Sequence, residues 1–369
     1  MLIGIDASRA GKKERTGTEW YSYHLLNAMS GLPCENAFRL YVKDALPFAL
    51  PHHWQERRLG WPFDFLWTQA GLSLEMLVHP PDVLFVPSHA IPLIHPHRTV
   101  TTIHDIGFCE SPKYRSRHER RYLEWSTRYA LSHCSRIITV SEFTKQELVR
   151  VYAADPSNIV VVHHGVDTDY WSRTPGQEER TRVLRAYAID KPYLLFVGRI
   201  DGRKNIETLV RAFELVLSEG IFDGLLVLAG PIGYDGAAVL GRVFSSQCAR
   251  NIRSLGWVSE EEKRVLMHAA GMFVFPSLYE GFGLPVIEAQ SCGTPVVCSG
   301  TTSLPEIAGD GALYVDPVSP EDIARGIRMV LGDTRSSYEY SLKGLNNAKR
   351  FSWERCARET LAVLESQTD

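Results

Sequence analysis

Short, near-continuous apolar runs alternate along the chain with longer stretches whose apolar residues recur every three or four positions. The short runs read as strands: Leu2–Ile5, Phe38–Val42, Val83–Val86, Val100–Ile103, Arg136–Val140 and Ile159–Val162, then Tyr193–Val197, Leu225–Leu228, Ile252–Leu255, Met272–Phe275, Pro295–Cys298 and Ala312–Val315. The longer stretches read as amphipathic helices, among them Glu19–Met29, His118–Leu131, Phe143–Val151, Asn205–Leu217 and Glu260–Ala270. Strands without polar alternation fit burial on both faces. Their alternation with helices predicts an α/β protein with parallel sheets flanked by helices. The two series are separated by the polar stretch Asp167–Asp190, predicted as the linker and the opening of a second domain.

A length of 369 residues fits two domains of about 150 residues or more each. With 44% apolar and 22% charged residues the chain can bury large cores without disulfides or structural metals. A formal charge of −3 argues against a broadly nucleic-acid-binding protein. Seven scattered cysteines with no Cys-x-x-Cys suggest neither a disulfide framework nor a zinc site, and point to a reducing, cytoplasmic compartment. The opening Met-Leu-Ile-Gly-Ile-Asp lacks the charged and apolar blocks of a signal peptide. No apolar stretch approaches the about 20 residues of a membrane span.

In open α/β sheets ligands collect beyond the carboxyl ends of the strands, so the residues that follow each strand carry the chemistry. Tyr193–Val197 is followed by Gly198-Arg199-Ile200-Asp201-Gly202-Arg203-Lys204-Asn205, and Ile252–Leu255 by Gly256-Trp257-Val258. Met272–Phe275 leads into Glu280-Gly-Phe-Gly-Leu-Pro-Val-Ile-Glu288. There Pro285 suits the first position of a helix reaching about Ser291, and Gly281 and Gly283 let the backbone approach a ligand. The free N–H groups and dipole of such a helix favour a phosphate. Glu280 on the loop and Glu288 on the first helical turn would be awkward beside an anion unless they bind hydroxyls, as on ribose or a sugar. Arg199 and Lys204 supply cations for a diphosphate clamp, while Arg203 projects elsewhere. In the first half, His104-Asp105 follows a strand, and a histidine there either contacts substrate or is a structural residue bonded to backbone. His163-His164 reads as an interdomain turn, and Asp167-Thr168-Asp169 as structural.

These residues resemble a known family. Glu280-x7-Glu288 with its inner Gly-Phe-Gly-Leu-Pro, and Gly198-Arg199-x4-Lys204-Asn205, are similar to the retaining family 4 glycosyltransferases of the GT-B fold. Thr102-Ile103-His104-Asp105, Thr139-Val140-Ser141-Glu142, His164-Gly165-Val166-Asp167 and Phe351-Ser352-Trp353 add to the resemblance. It implies two Rossmann-like doubly wound domains facing a cleft: 1–170 for the acceptor, 171–350 for a nucleotide-sugar donor, and a helix in 351–369 that returns to the first domain. It also implies that Arg199 and Lys204 hold the donor diphosphate, with Gly198 opening their loop, and that Glu288 binds the ribose. Glu280 and the backbone of Phe282, Gly283 and Leu284 contact the sugar, and the base packs near Gly256, Trp257 and Val258. His104 touches the transferred sugar, and the Gly17 loop approaches the diphosphate, although the family's usual glycine pair stands here as Thr16-Gly17. His104, Glu280, Arg199 and Lys204 are the implied catalytic set. The resemblance also implies transfer with retention and no requirement for a metal or other cofactor.

Phe65-Leu66-Trp67-Thr68-Gln69 and Asp82-Val83-Leu84-Phe85-Val86-Pro87 are similar to segments of mannosyltransferases in surface-polysaccharide assembly, which makes GDP-mannose the leading donor and a UDP-sugar its alternative. An epimerase or a non-catalytic nucleotide-sugar-binding protein shares this architecture. The acceptor class is a glycan or a lipid-linked glycan. Lys113–Arg128 holds six Lys or Arg and two Glu among Tyr114, Tyr122 and Trp125. It reads either as a contact for an anionic membrane or lipid diphosphate, peripheral at the inner face, or as an ordinary amphipathic helix.

Overall fold

The computed structural model describes residues 1–12, 15–61, 66–110 and 116–368. Phe65 of the first-domain motif, and Lys113, Tyr114 and Arg115 of the basic stretch, lie outside the described residues. The described strands form two parallel sheets. One holds β1 (Leu2–Asp6), β2 (Ala37–Val42), β3 (Trp54–Arg58), β4 (Val83–Val86), β5 (Thr99–Ile103), β6 (Arg136–Thr139) and β7 (Ile159–Val161), in the order β3-β2-β1-β4-β5-β6-β7. The other holds β8 (Tyr193–Val197), β9 (Leu225–Ala229), β10 (Ile252–Gly256), β11 (Met272–Phe275), β12 (Val296–Ser299) and β13 (Ala312–Val315), in the order β10-β9-β8-β11-β12-β13. Every residue of β4, β5, β8, β9, β11 and β12 is buried, as unbroken apolar runs require when helices cover both faces.

Strand β3 was not expected. Its sequence Trp-Gln-Glu-Arg-Arg buries only Trp54, and it exists because its backbone pairs with β2, Phe38 opposite Trp54. A short charged edge strand of this kind also discourages pairing with another chain.

The stretch expected as linker and opening of the second domain does open the second unit, but it is helical and packed. Asp167–Asp190 contains helices Thr168–Ser172 and Gln177–Ala186, the first capped by the Asp167 carboxylate, which accepts from the Tyr170 amide at 3.0 Å. Both pack onto the second sheet's helices: Arg264 pairs with Glu179 at 2.7 Å, and the His268 ring meets the Trp171 carbonyl at 2.8 Å. Two compact units result. Met1–Glu110, Arg117–Gly165 and the chain from Phe351 onward form the N-terminal unit, and Val166–Arg350 is the body of the C-terminal unit.

Within the N-terminal unit the last long helix, Trp353–Glu365, packs against the helix Gly17–Ser30. Cys356, Ala357, Leu361 and Leu364 join Tyr21, Leu25 and Leu26 in one apolar core. The start of that last helix also packs against Gly165, where a Cβ would lie 2.1 Å from the Trp353 backbone nitrogen. The obstacle is backbone and cannot rotate away. Gly165→Ala should therefore destabilise the protein by at least about 1–3 kcal/mol, read as a lower urea midpoint; an unchanged midpoint would refute this packing.

Candidate functional site

In the second sheet the chain order reverses between β8 and β11, so their carboxyl ends open the crevice where α/β folds receive ligands. The loop after β8 is closed by Asp201, whose carboxylate accepts from the Lys204 amide at 3.2 Å and caps the 3-10 turn Gly202–Lys204. Asn205 follows in the left-handed region at φ 61°, and its side-chain amide donates to the carbonyls of Pro276 (3.0 Å) and Pro317 (2.6 Å). Arg203 does project away from Lys204 and donates to the Tyr279 carbonyl at 3.0 Å. These bonds fasten the loop after β8 to the loop after β11.

The Lys204 ammonium donates to Glu280, which also accepts from the Ser277 hydroxyl at 2.5 Å. Both members of the ion pair are buried, and Lys204 lies 5.2 Å from the Phe275 ring centre. Burial pulls the Lys204 ammonium below the usual lysine range, and the Glu280 charge opposes that shift. Arg199 is exposed, its methylenes lying over Gly233, where a Cβ would sit 2.9 Å from the Arg199 Cδ. The two expected clamp cations are thus unlike: Arg199 meets solvent, and Lys204 is held beneath by a carboxylate.

The loop continues into the helix Leu284–Ser291, with Gly283 as its cap at φ 104° and Pro285 at the second position. Ser303 donates to the carbonyls of Glu280 and Phe282 at 3.0 Å each, which holds the loop's acceptors to the protein. The first turn of the helix has amides without intrahelical acceptors, a setting for an anion. Glu288 opens the second helical turn, not the first as expected. Its Oε1 accepts from Lys263 at 3.1 Å; its Oε2 lies 3.0 Å from the same ammonium but outside hydrogen-bond geometry, and is itself buried. Lys263 also meets Glu260 at 2.8 Å and lies 4.7 Å from the Trp171 ring. Burial raises the Glu288 carboxyl above the usual range, and Lys263 works against that rise. The puzzle of two carboxylates beside an anion site therefore has a structural answer: each has its own buried lysine. At the same edge Gly256 ends β10 at φ 71°, its carbonyl accepting from the Gly230 amide at 2.7 Å; Trp257 is exposed and Val258 buried.

In the N-terminal unit His104 directly follows β5. Its Nε2 lies 3.3 Å from the Pro87 carbonyl, and the Tyr21 ring meets it edge-on at 4.7 Å. Burial pulls the imidazole down to about 4. Gly17 is the first residue of its helix, with open space where a Cβ would be. Thr16 caps that helix together with Glu19, which also pairs with Arg9 at 3.0 Å; burial opposes ionisation, but the Thr16 bond and the Arg9 and Lys12 charges hold the carboxyl at about 2. His164, expected in an interdomain turn, lies just before the boundary of the two units at Gly165 and Val166; it is buried and stacks on Tyr21 at 4.7 Å.

A histidine with a lowered pKa binds its proton first in the unfolded chain, so stability falls as pH drops from about 6.5 to about 4. Urea melts of the parent should show that fall, and His104→Gln should flatten it. An identical slope in the variant would contradict the burial of a neutral imidazole.

Sequence reasoning missed Lys263, Ser277, Ser303 and Tyr21. Lys263 lies in the run Glu260-Glu-Glu-Lys-Arg, whose charges look like a solvated helix face. Only the capping box Ser259-x-x-Glu262 was there to find, and it marks the helix start but not what the helix touches.

Residues 179–349 match the family described as Glycosyl transferases group 1, and residues 17–170 match Glycosyltransferase Family 4. The chain is 38% identical over 270 residues to an O-antigen chain mannosyltransferase B of Escherichia coli, covering 72% of this chain and 70% of that one. It is 30% identical to a D-inositol 3-phosphate glycosyltransferase of Nocardioides, covering 74% of this chain and 62% of that one. Among solved structures, sucrose-phosphate synthase from Thermosynechococcus elongatus superposes with a TM-score of 0.78 at 20% identity, covering 99% of this chain and 98% of that one, a likeness of fold.

Proposed function

Because the chain belongs to the GT-B glycosyltransferases of family 4, we propose that it moves mannose from GDP-mannose to a glycan acceptor in surface-polysaccharide assembly, with retention of the anomeric configuration. The observation that carries the donor site is the buried Lys204–Glu280 pair at the β8/β11 crevice, beside exposed Arg199 and the start of the helix Leu284–Ser291. The mannosyl assignment is supported by the name of the Escherichia coli relative.

The bond between the anomeric carbon and the diphosphate oxygen breaks as the acceptor oxygen bonds to the same face of the sugar. Positive charge develops on the sugar and negative charge on the departing GDP, whose phosphate oxygen takes the acceptor's proton. Arg199, Lys204 and the amides at Gly283 and Leu284 stabilise that anion. They are most effective because they are already oriented and partly desolvated before the reaction. Lys204 and Arg199 serve as the counter-charge, so the reaction needs no metal. Glu280 fixes Lys204 and presents its remaining lone pairs to a sugar hydroxyl, and Glu288, held in place by Lys263, serves the ribose. His104, neutral at physiological pH, offers a hydrogen bond to a sugar hydroxyl without adding a repelling charge.

The test is incubation with GDP-mannose and mannosylated acceptors in the presence of EDTA, followed by NMR of the product. An α-mannoside formed at the rate seen without EDTA supports the reading. A β-mannoside overturns retention, loss of activity in EDTA overturns metal independence, and transfer from UDP-sugars alone overturns the donor.

A further inference from the structure

Three large apolar side chains stand exposed at the carboxyl edge of the second sheet. Ile232 and Tyr234, in the loop after β9, are 58% and 66% exposed, and Trp257, after β10, is 53% exposed. Tyr234 makes no ring stack and no side-chain hydrogen bond among the described residues. Single exposed apolar residues need no explanation. These three are gathered at the ends of adjacent strands, on the edge where α/β sheets receive ligands.

The loop that carries Tyr234 is held in place on both sides of that residue. The Ile200 amide donates to the Pro231 carbonyl and the Gly233 amide to the Ile200 carbonyl, both at 2.8 Å, so the chain after β9 pairs with the chain after β8 beyond the end of the sheet. The Asp235 carboxylate accepts from the Gly202 amide at 3.1 Å. At Gly230 a Cβ would lie 2.0 Å from the Gly198 carbonyl oxygen, and at Gly236 a Cβ would lie 2.1 Å from that of Ile200. Both obstacles are backbone, and the two loops meet too closely for side chains there. Tyr234 is thus an exposed ring on a segment fastened to the loop of Arg199 and Lys204.

Strand order says what this ring is placed to meet. The sheet runs β10-β9-β8-β11, and neighbouring strands lie about 4.8 Å apart. With the diphosphate of the proposed donor at the β8/β11 crevice, the loop after β9 is one strand further from β11 than the Arg199 loop. Trp257 is two strands further, about 10 Å, which is the reach of a nucleoside from its phosphate to its base. A diphosphate gains nothing from apolar rings, whereas a planar base offers a face that stacks on them.

We propose that Tyr234, flanked by Ile232, is one wall of the nucleobase pocket and that its ring stacks on the base of the bound nucleotide. A glycan acceptor also uses aromatic faces, but Tyr234 lies on the line from phosphate to base and is fastened to the loop that carries the donor cations. The proposal rests on the nucleotide-sugar reading of this site and not on which base the donor carries.

The test is titration calorimetry of the full chain with GDP, UDP and inorganic pyrophosphate. Tyr234→Ala should weaken the nucleotide that the parent binds by about 5–150-fold, the worth of one base–aromatic stack. Tyr234→Phe keeps the ring and should keep the parent's affinity. Pyrophosphate has no base and should bind the parent and both variants equally. Tyr234 is exposed, and an unchanged urea midpoint will show that the variants fold. Unchanged nucleotide affinity in Tyr234→Ala, an equal loss in Tyr234→Phe, an equal loss for pyrophosphate, or a higher acceptor KM with nucleotide affinity unchanged would each overturn the proposal. A parent that binds UDP but not GDP would overturn the donor assignment alone, and the same variants then decide the proposal on UDP. A parent that binds no nucleotide removes the site reading and the proposal with it.

Discussion

Replacing Lys204 by alanine lowers turnover by about 10²–10³-fold, the loss expected when one preorganised donor to a developing anion is removed. The same change lowers stability, because Glu280 is left buried without its counter-charge. Breaking a buried ion pair from one side costs about 3–5 kcal/mol, and the remaining Ser277 bond cannot replace a full charge. The two effects separate in the double variant. Adding Glu280→Gln to Lys204→Ala removes the stranded charge, so the urea midpoint recovers while turnover stays low. Turnover within a few-fold of the parent in Lys204→Ala would mean that the ammonium does not serve the leaving diphosphate.

Lys263→Met gives the second large effect, at the nucleoside end of the site. The substitution keeps the volume but leaves Glu288 facing Glu260 across a buried space, so its carboxyl, already raised by burial, rises further. Loss of one hydrogen bond to a charged acceptor weakens nucleotide binding by about 10–100-fold. The pH signature has a definite sign. A carboxyl whose folded pKa is raised holds its proton in the native state after the unfolded chain has lost it, so stability falls as pH rises from about 4.5 through the folded value. Relative to the parent, the variant should lose stability between pH 5 and 8 in urea melts, and titration calorimetry at pH 7 should show the weaker nucleotide. Parallel pH profiles with unchanged affinity would mean that Lys263 does not support Glu288.

The strands that build the site were readable because burial on both faces leaves unbroken runs such as Tyr193–Val197 and Met272–Phe275. The loops at their ends were readable because anion binding needs particular residues at fixed spacing: Arg199 and Lys204 after one strand, Glu280 and Glu288 after the other. What stayed hidden depends on contacts distant in sequence. Strand β3 has no apolar pattern, because its partner supplies its hydrogen bonds and every side chain after Trp54 is exposed. The helices in 167–190 are polar because only Trp171 and Val183 are buried in them. Lys263 looks like a surface lysine until the fold sets it against Glu288 and Trp171, 25 residues after it and 92 before it.

The central claim is that the C-terminal unit carries a nucleotide-diphosphate-sugar site built on the Lys204–Glu280 and Lys263–Glu288 pairs. Thermal shift across a panel of nucleotides and nucleotide sugars tests it most directly, since a ligand at 100 times its Kd stabilises the folded state by about 2.7 kcal/mol. The account predicts a rise in the parent's midpoint with GDP and GDP-mannose, and a rise that shrinks in Lys204→Ala and Lys263→Met. No rise with any nucleotide or nucleotide sugar would contradict it.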